Sequence, residues 1–204
     1  MLRFVAPLVL LLTSGCAWTV DSVDIRRPST PVVAVPGADR IMVTVTTSDA
    51  RQEREISHKK NGYGMRGADI IASNDVVAEV REGIVEILRE QGFRDGPGGA
   101  TIRVELSRFY STFDTGFWSA TANAQVTASV TVVAADGRNL YARVFNGNYQ
   151  LPNVQIMNGS NAANALRPAL GGLLRQIADD PQLTRALLQA VPDVEPPSRR
   201  NLRS

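Results

Sequence analysis

The sequence predicts an α+β domain, a two-layer sandwich of mainly antiparallel sheet with two long helices packed on one face. Three observations carry that expectation. Apolar and polar residues alternate with period two in several runs after Ile41, above all from Ser119 to Val132. Two stretches, about 74–91 and 160–178, repeat their apolar residues at helical spacing. Helices and strands alike have only one apolar side, so two layers suffice to bury both.

The chain begins MLRFVAPLVLLLTSGC. Arg3 supplies a short positive segment, and Phe4 to Leu12 form an apolar stretch of nine residues. A helix of that length is too short to cross a hydrocarbon core of roughly 30 Å. Its size is that of a signal-peptide core. Thr13-Ser14-Gly15-Cys16 resembles the lipobox of bacterial lipoproteins, in which small residues expose the bond before a Cys whose thiolate takes the lipid. Thr13 departs from the preferred Leu, which stands one residue upstream at Leu12. Two plainer readings stand beside it: a secretory signal cut after Ala17, and an uncleaved anchor. On the lipobox reading residues 1–15 are a lipoprotein signal peptide and Cys16 is lipidated, attaching the chain to a membrane. Ala17 in place of Asp after the Cys favours the outer membrane, by resemblance to enterobacterial sorting. Residues 16–40 carry Pro28, Pro31 and Pro36 without a lasting period and read as a tether. Trp18, beside the Cys, reads either as an amphipathic ring at the headgroup level or simply as an exposed Trp.

A single folded domain is expected over residues 41–191. Ile41, Val43 and Val45 alternate with Met42, Thr44 and Thr46 as a half-buried strand. Asn61-Gly62 marks a hairpin between segments 54–60 and 63–71. The helix over 74–91 lines up Val76, Val80, Ile84, Ile87 and Leu88, with Ser73 as its expected N-cap and Gly92 as its stop. Gly96-Pro97-Gly98-Gly99 leads to a strand marked by Ile102, Val104 and Leu106. The long strand that follows has an Ala-rich inner face, which lets helices approach closely. Asp136-Gly137 turns it into a strand over Leu140–Leu151. A strict two-residue turn sets Arg143 against Val130 on the apolar face, which predicts a bulge or longer loop. The second long helix carries Leu166, Leu170, Leu173, Leu174 and Ile177, and Pro168 inside it predicts a kink or a late start. Asp179-Asp180-Pro181 opens a short third helix. Residues 192–204 read as a disordered tail.

Composition narrows the function classes. The 204 residues hold 22 basic and 20 acidic side chains, with 21% charged and 44% apolar residues, an ordinary globular mix. The sequence pI of about 9.0 rests on a surplus of only two charges in a chain with one His, so it does not argue for nucleic acid as a partner. One Cys excludes an intrachain disulfide framework. His58, before Lys59-Lys60 in a predicted hairpin, reads as exposed and solvated, which speaks against His-dependent catalysis and against zinc. Gly96–Gly99 precedes a strand, so its amides are not set to cradle phosphate, and no cofactor is expected. Asn158-Gly159-Ser160 fits a glycosylation sequon but reads more simply as a helix-start turn.

Two features rise above this background as candidate partner-binding sites. Asp49 and Arg51, two apart at the end of a strand, project to one side and are placed to form an ion pair. Phe109, Tyr110, Phe113, Phe117 and Trp118 crowd a predicted strand–turn–strand. Exposed, they would make a partner or membrane-contact surface; folded inward, they are the end of the core.

The order of these features resembles the YajG family of Gram-negative lipoproteins. The likeness runs over about residues 1–190: lipobox, Pro-rich tether, Val-rich strand ending in Asp49 and Arg51, a helix closed by Gly92-Phe93, a Gly-Pro-Gly connector, three strands and a late helix. The resemblance implies an envelope lipoprotein and supplies no active site. The architecture also looks like the TolB N-terminal domain and transport-auxiliary lipoproteins, an analogy of fold alone. The expected function is a non-enzymatic, lipid-anchored periplasmic accessory that binds another envelope protein. The alternative is a cell-wall-acting enzyme or a sugar- or peptidoglycan-binding module.

Overall fold

The computed structural model describes residues 19–61 and 64–190. The signal segment, Cys16, Trp18, Gly62 of the expected Asn61-Gly62 turn and the tail 192–204 lie outside the described residues. The order is β1 (Asp21–Val23), a 3-10 turn (Ala38–Arg40), β2 (Met42–Asp49), β3 (Ser57–Lys60), β4 (Arg66–Ala72), α1 (Val76–Glu90), β5 (Arg94–Asp95), β6 (Ala100–Thr115), β7 (Ala120–Val133), β8 (Asn139–Val154), α2 (Gly159–Ala178) and α3 (Pro181–Leu188). A five-stranded sheet runs β5-β2-β6-β7-β8, and a three-stranded sheet runs β1-β4-β3. The architecture is α+β as expected. The long β6–β7 and β7–β8 pairs are antiparallel, whereas β2 joins β6 in parallel because α1 carries the chain between them.

Alternation builds the core. Val43, Val45, Ile102, Val104 and Leu106 point inward with Ala122, Ala124, Val126, Ala128, Val130 and Val132 of β7. The apolar stripe of α2 (Leu166, Leu170, Leu173, Leu174 and Ile177) lies on them fully buried. The Ala-rich face has the expected consequence at Gly147 on β8, where an added Cβ would stand 1.9 Å from the Ala169 carbonyl oxygen. The backbone of α2 therefore lies directly on the strand, and only Gly leaves room.

Several expectations are corrected. Part of the segment read as a tether is built into the fold: β1 pairs in parallel with β4, and Ile25 and Ala38 are fully buried. Arg27 ties this segment to α1 through Glu79, Glu82 and Glu86. The N-cap of α1 is Asp75, whose carboxylate accepts from Val77 and Ala78. Ser73 instead donates its N–H to the Val23 carbonyl and extends the β1 edge. α2 is one helix from Gly159 to Ala178, so Pro168 does not delay its start; Asn158 is its N-cap. A register shift does lie between Val132 and Val133, yet Arg143 remains opposite Val130. The residue escapes burial because β8 is the border strand: its guanidinium reaches Asp180 at 2.5 Å and lies 5.2 Å from the Phe145 ring centre.

Candidate functional site

The aromatic cluster is divided by a bulge. Up to Leu106 the even positions of β6 face the core; the pairing shifts between Leu106 and Arg108, and from there odd positions do. Phe109 and Phe113 are therefore buried at 1% and 0% exposure, and as partner-binding residues they are corrected to core. Tyr110 is also largely buried, with its hydroxyl 2.7 Å from Nδ1 of His58 and the Arg108 guanidinium over its ring. His58 is half-buried in β3 rather than solvated as expected. Burial, followed by the nearby Arg66 and Lys60 cations, lowers its pKa and keeps the imidazole neutral. Burial raises the Tyr110 pKa. The His58–Tyr110 contact, with Ser57 Oγ donating to the Ser111 carbonyl at 2.7 Å, fastens β3 to the outer half of β6.

Phe117 and Trp118 behave differently. They are the two central residues of the turn closed by Gly116 N–H to the Ser119 carbonyl, 2.9 Å. A tight turn projects its central side chains off the end of the sheet, so neither ring has a core to enter. Phe117 is 90% and Trp118 86% exposed, stacked edge-on with ring centres 4.8 Å apart.

Asp49 and Arg51 do come together. Arg51 Nε donates to one carboxylate oxygen at 2.9 Å and Nη2 to the other at 2.8 Å, a fork that holds the chain where β2 ends. The Arg51 backbone N–H and Arg54 also reach Asp49. The Arg51 hydrogen bond is the main reason the Asp49 carboxyl titrates below its usual range. The pair forms one wall of an open cleft of about 410 Å³ facing Asn74 and Asp75 at the start of α1.

Sequence reasoning missed a second cleft, on the sheet face turned away from the helices. Arg108, Tyr110, Asn123, Gln125, Asn148 and Gln150 are among its lining residues, around about 340 Å³. Arg108 Nε and Asn123 Oδ1 lack hydrogen-bond partners there. The polar half of the β7 alternation signalled such a face, but not that its atoms would be left unpaired. Among the described residues no cluster of His, Cys, Asp or Glu is arranged to hold a metal ion, and no helix is long and apolar enough to cross a membrane.

The described residues form an α+β sandwich edged by a long strand and tipped by exposed aromatics, an architecture that does not by itself fix an activity. Residues 28–188 match the family described as uncharacterized lipoprotein, and the chain belongs to that family. Membership implies a lipid-anchored envelope protein; Cys16 itself precedes the matched span. Among solved structures, a Xanthomonas campestris protein of the DUF330 family is similar at 13% identity and TM-score 0.55, over 78% of this chain and 92% of that one. A minor lipoprotein from Acinetobacter baumannii is 9% identical at TM-score 0.45, over 71% of this chain and 94% of that one. The first of these likenesses is one of fold. No curated protein matches the chain.

Proposed function

We propose that this chain is a YajG-type lipoprotein, lipidated at Cys16, held at the outer membrane and facing the periplasm, where it acts without catalysis as a binding accessory for another envelope protein. One observation carries the partner reading. β8 spans sixteen residues at the border of the five-stranded sheet and pairs with β7 alone. Its outer backbone is a template onto which a partner strand can add. On that border the Gln176 amide donates to the Asn146 carbonyl at 2.8 Å. The buried charges support a non-catalytic reading, since each has a structural role: Lys59 holds Asp21, Glu79 holds Arg26 and Arg27, and Asp180 caps α3.

The test is a photocrosslinker at Val144, a 56% exposed position on β8, in intact cells. A discrete adduct with one envelope protein is expected. Adducts only with cell-wall fragments would overturn the reading in favour of the sugar-binding alternative. That alternative has its own observation, the unpaired Arg108 Nε and Asn123 Oδ1 beside the rings of Tyr110 and Tyr149. Calorimetry with soluble muropeptides measures it directly.

A further inference from the structure

Four segments far apart in sequence meet at one end of the domain. The turn between β3 and β4 lies against the one between β6 and β7: a Cβ on Gly64 would stand 4.0 Å from Thr115 Oγ1, and Lys60 donates to the Phe113 carbonyl. β8 finishes beside them, with Val154 opposite Ala120. The first described residues arrive at the same end. β1 runs parallel to β4 with Asp21 opposite Ile70, so Thr19 and Val20 point back toward the β3–β4 turn. Lys59 fixes them there, reaching Asp21 at 2.8 Å and the Thr19 hydroxyl at 3.5 Å.

Exposed apolar side chains gather at this end. Phe117 and Trp118 project from the hairpin tip, with Val20, Met65 and Ile156, all more than half exposed, on the other three segments. Isolated surface apolar residues need no explanation, but a convergence of five from four segments does. Its occupant is indicated by the chain outside the described residues. Only three peptide units separate Cys16 from Thr19, so their Cα atoms are at most about 11 Å apart.

We infer that this end of the domain seats on the phospholipid surface, with Phe117 and Trp118 entering the headgroup level as a second, non-covalent contact beside the acyl chains. The inference rests on the reading that Cys16 carries lipid. Trp118 is suited to that depth, its ring meeting hydrocarbon and its indole N–H meeting water, and Phe117 beside it adds apolar surface. The seat fixes how the domain stands. Val144 on β8 lies ten residues from Val154, about 33 Å along the strand, so most of the binding edge is held away from the bilayer.

The test uses the full lipidated protein with Trp18→Phe, leaving Trp118 as the one indole, in vesicles of phosphatidylethanolamine and phosphatidylglycerol (3:1). Flotation with the vesicles reports the anchor; quenching of Trp118 by brominated lipid reports the seat. The expected result is flotation together with a blue-shifted Trp118 that brominated lipid quenches at least two-fold. A control indole at Val144→Trp, in a Trp18→Phe, Trp118→Phe background, is expected to stay unquenched. Flotation with Trp118 unshifted and unquenched overturns the seat and leaves the anchor standing. Equal quenching at positions 118 and 144 also overturns it. Failure to float removes the anchor and the seat together.

Discussion

Replacing Asp180 with Ala tests the reasoning about buried charge. The side chain is 1% exposed and accepts four hydrogen bonds: from Gln182 N–H at 2.8 Å, Leu183 N–H at 3.0 Å, the Tyr141 hydroxyl at 2.8 Å and Arg143 at 2.5 Å. Loss of the cap on α3 costs about 1 kcal/mol. A stranded Tyr141 hydroxyl adds about 1–2 kcal/mol, whereas Arg143, half in solvent, rehydrates. The total is about 2–3 kcal/mol, or roughly 4–12 °C in Tm for a domain of this size. Urea unfolding with an unchanged m-value measures it. The carboxyl also links stability to pH. Burial opposes ionisation, but the Leu183 amide and the Tyr141 hydroxyl outweigh it and hold the folded pKa below its ordinary 3.8. The contribution is therefore present above pH about 4 and lost as pH falls through the folded value. Wild type and Asp180→Asn are expected to converge in acid. A cost under 0.5 kcal/mol for Asp180→Ala, within the range of ordinary surface changes, would refute the argument.

Other outcomes follow from particular contacts. Gly147→Ala is expected to cost about 2–4 kcal/mol in urea unfolding, since the backbone of α2 must retreat from the new Cβ; a neutral effect contradicts the close approach. Phe113→Ala is expected to cost about 3–5 kcal/mol, and Trp118→Ala under about 0.5, the ratio that separates core from tip. Similar costs at both sites would contradict the division of the cluster. The single His makes an NMR titration direct, and the midpoint for His58 is expected below its ordinary 6.5. Because the folded state resists that proton, stability should rise with pH between the folded midpoint and 6.5; a midpoint above 6.5 contradicts the burial argument.

How much was legible depends on whether a feature is local. The alternation of β7, the apolar stripe of α1 and the Asp49–Arg51 pair are set by residues within a turn or two of one another, and each is found where the sequence puts it. The division of the aromatic cluster depends on one bulge. Its signal was present, since buried positions change from even at Ile102, Val104 and Leu106 to odd at Phe109 and Phe113. Chain proximity of the aromatics concealed that change of parity. The docking of residues 21–40 was not legible. It rests on partners some fifty residues away, such as Asn74 with Ile25 and Glu79 with Arg27, and carries no period. The same holds for Asp180 with Tyr141 and Arg143, and for the meeting of four segments at one end. Polar alternation showed that one sheet face meets solvent; which atoms there lack partners follows only from the packed geometry.

The proposed anchor and the proposed orientation of the domain both depend on lipid at Cys16. Intact-mass measurement of the protein extracted from cell envelopes tests it most directly. The predicted species begins at Cys16 and carries a diacylglyceryl group on sulfur and an acyl chain on its amine. A polypeptide starting at Trp18, or one retaining residues 1–15, would contradict the anchor and the orientation built on it.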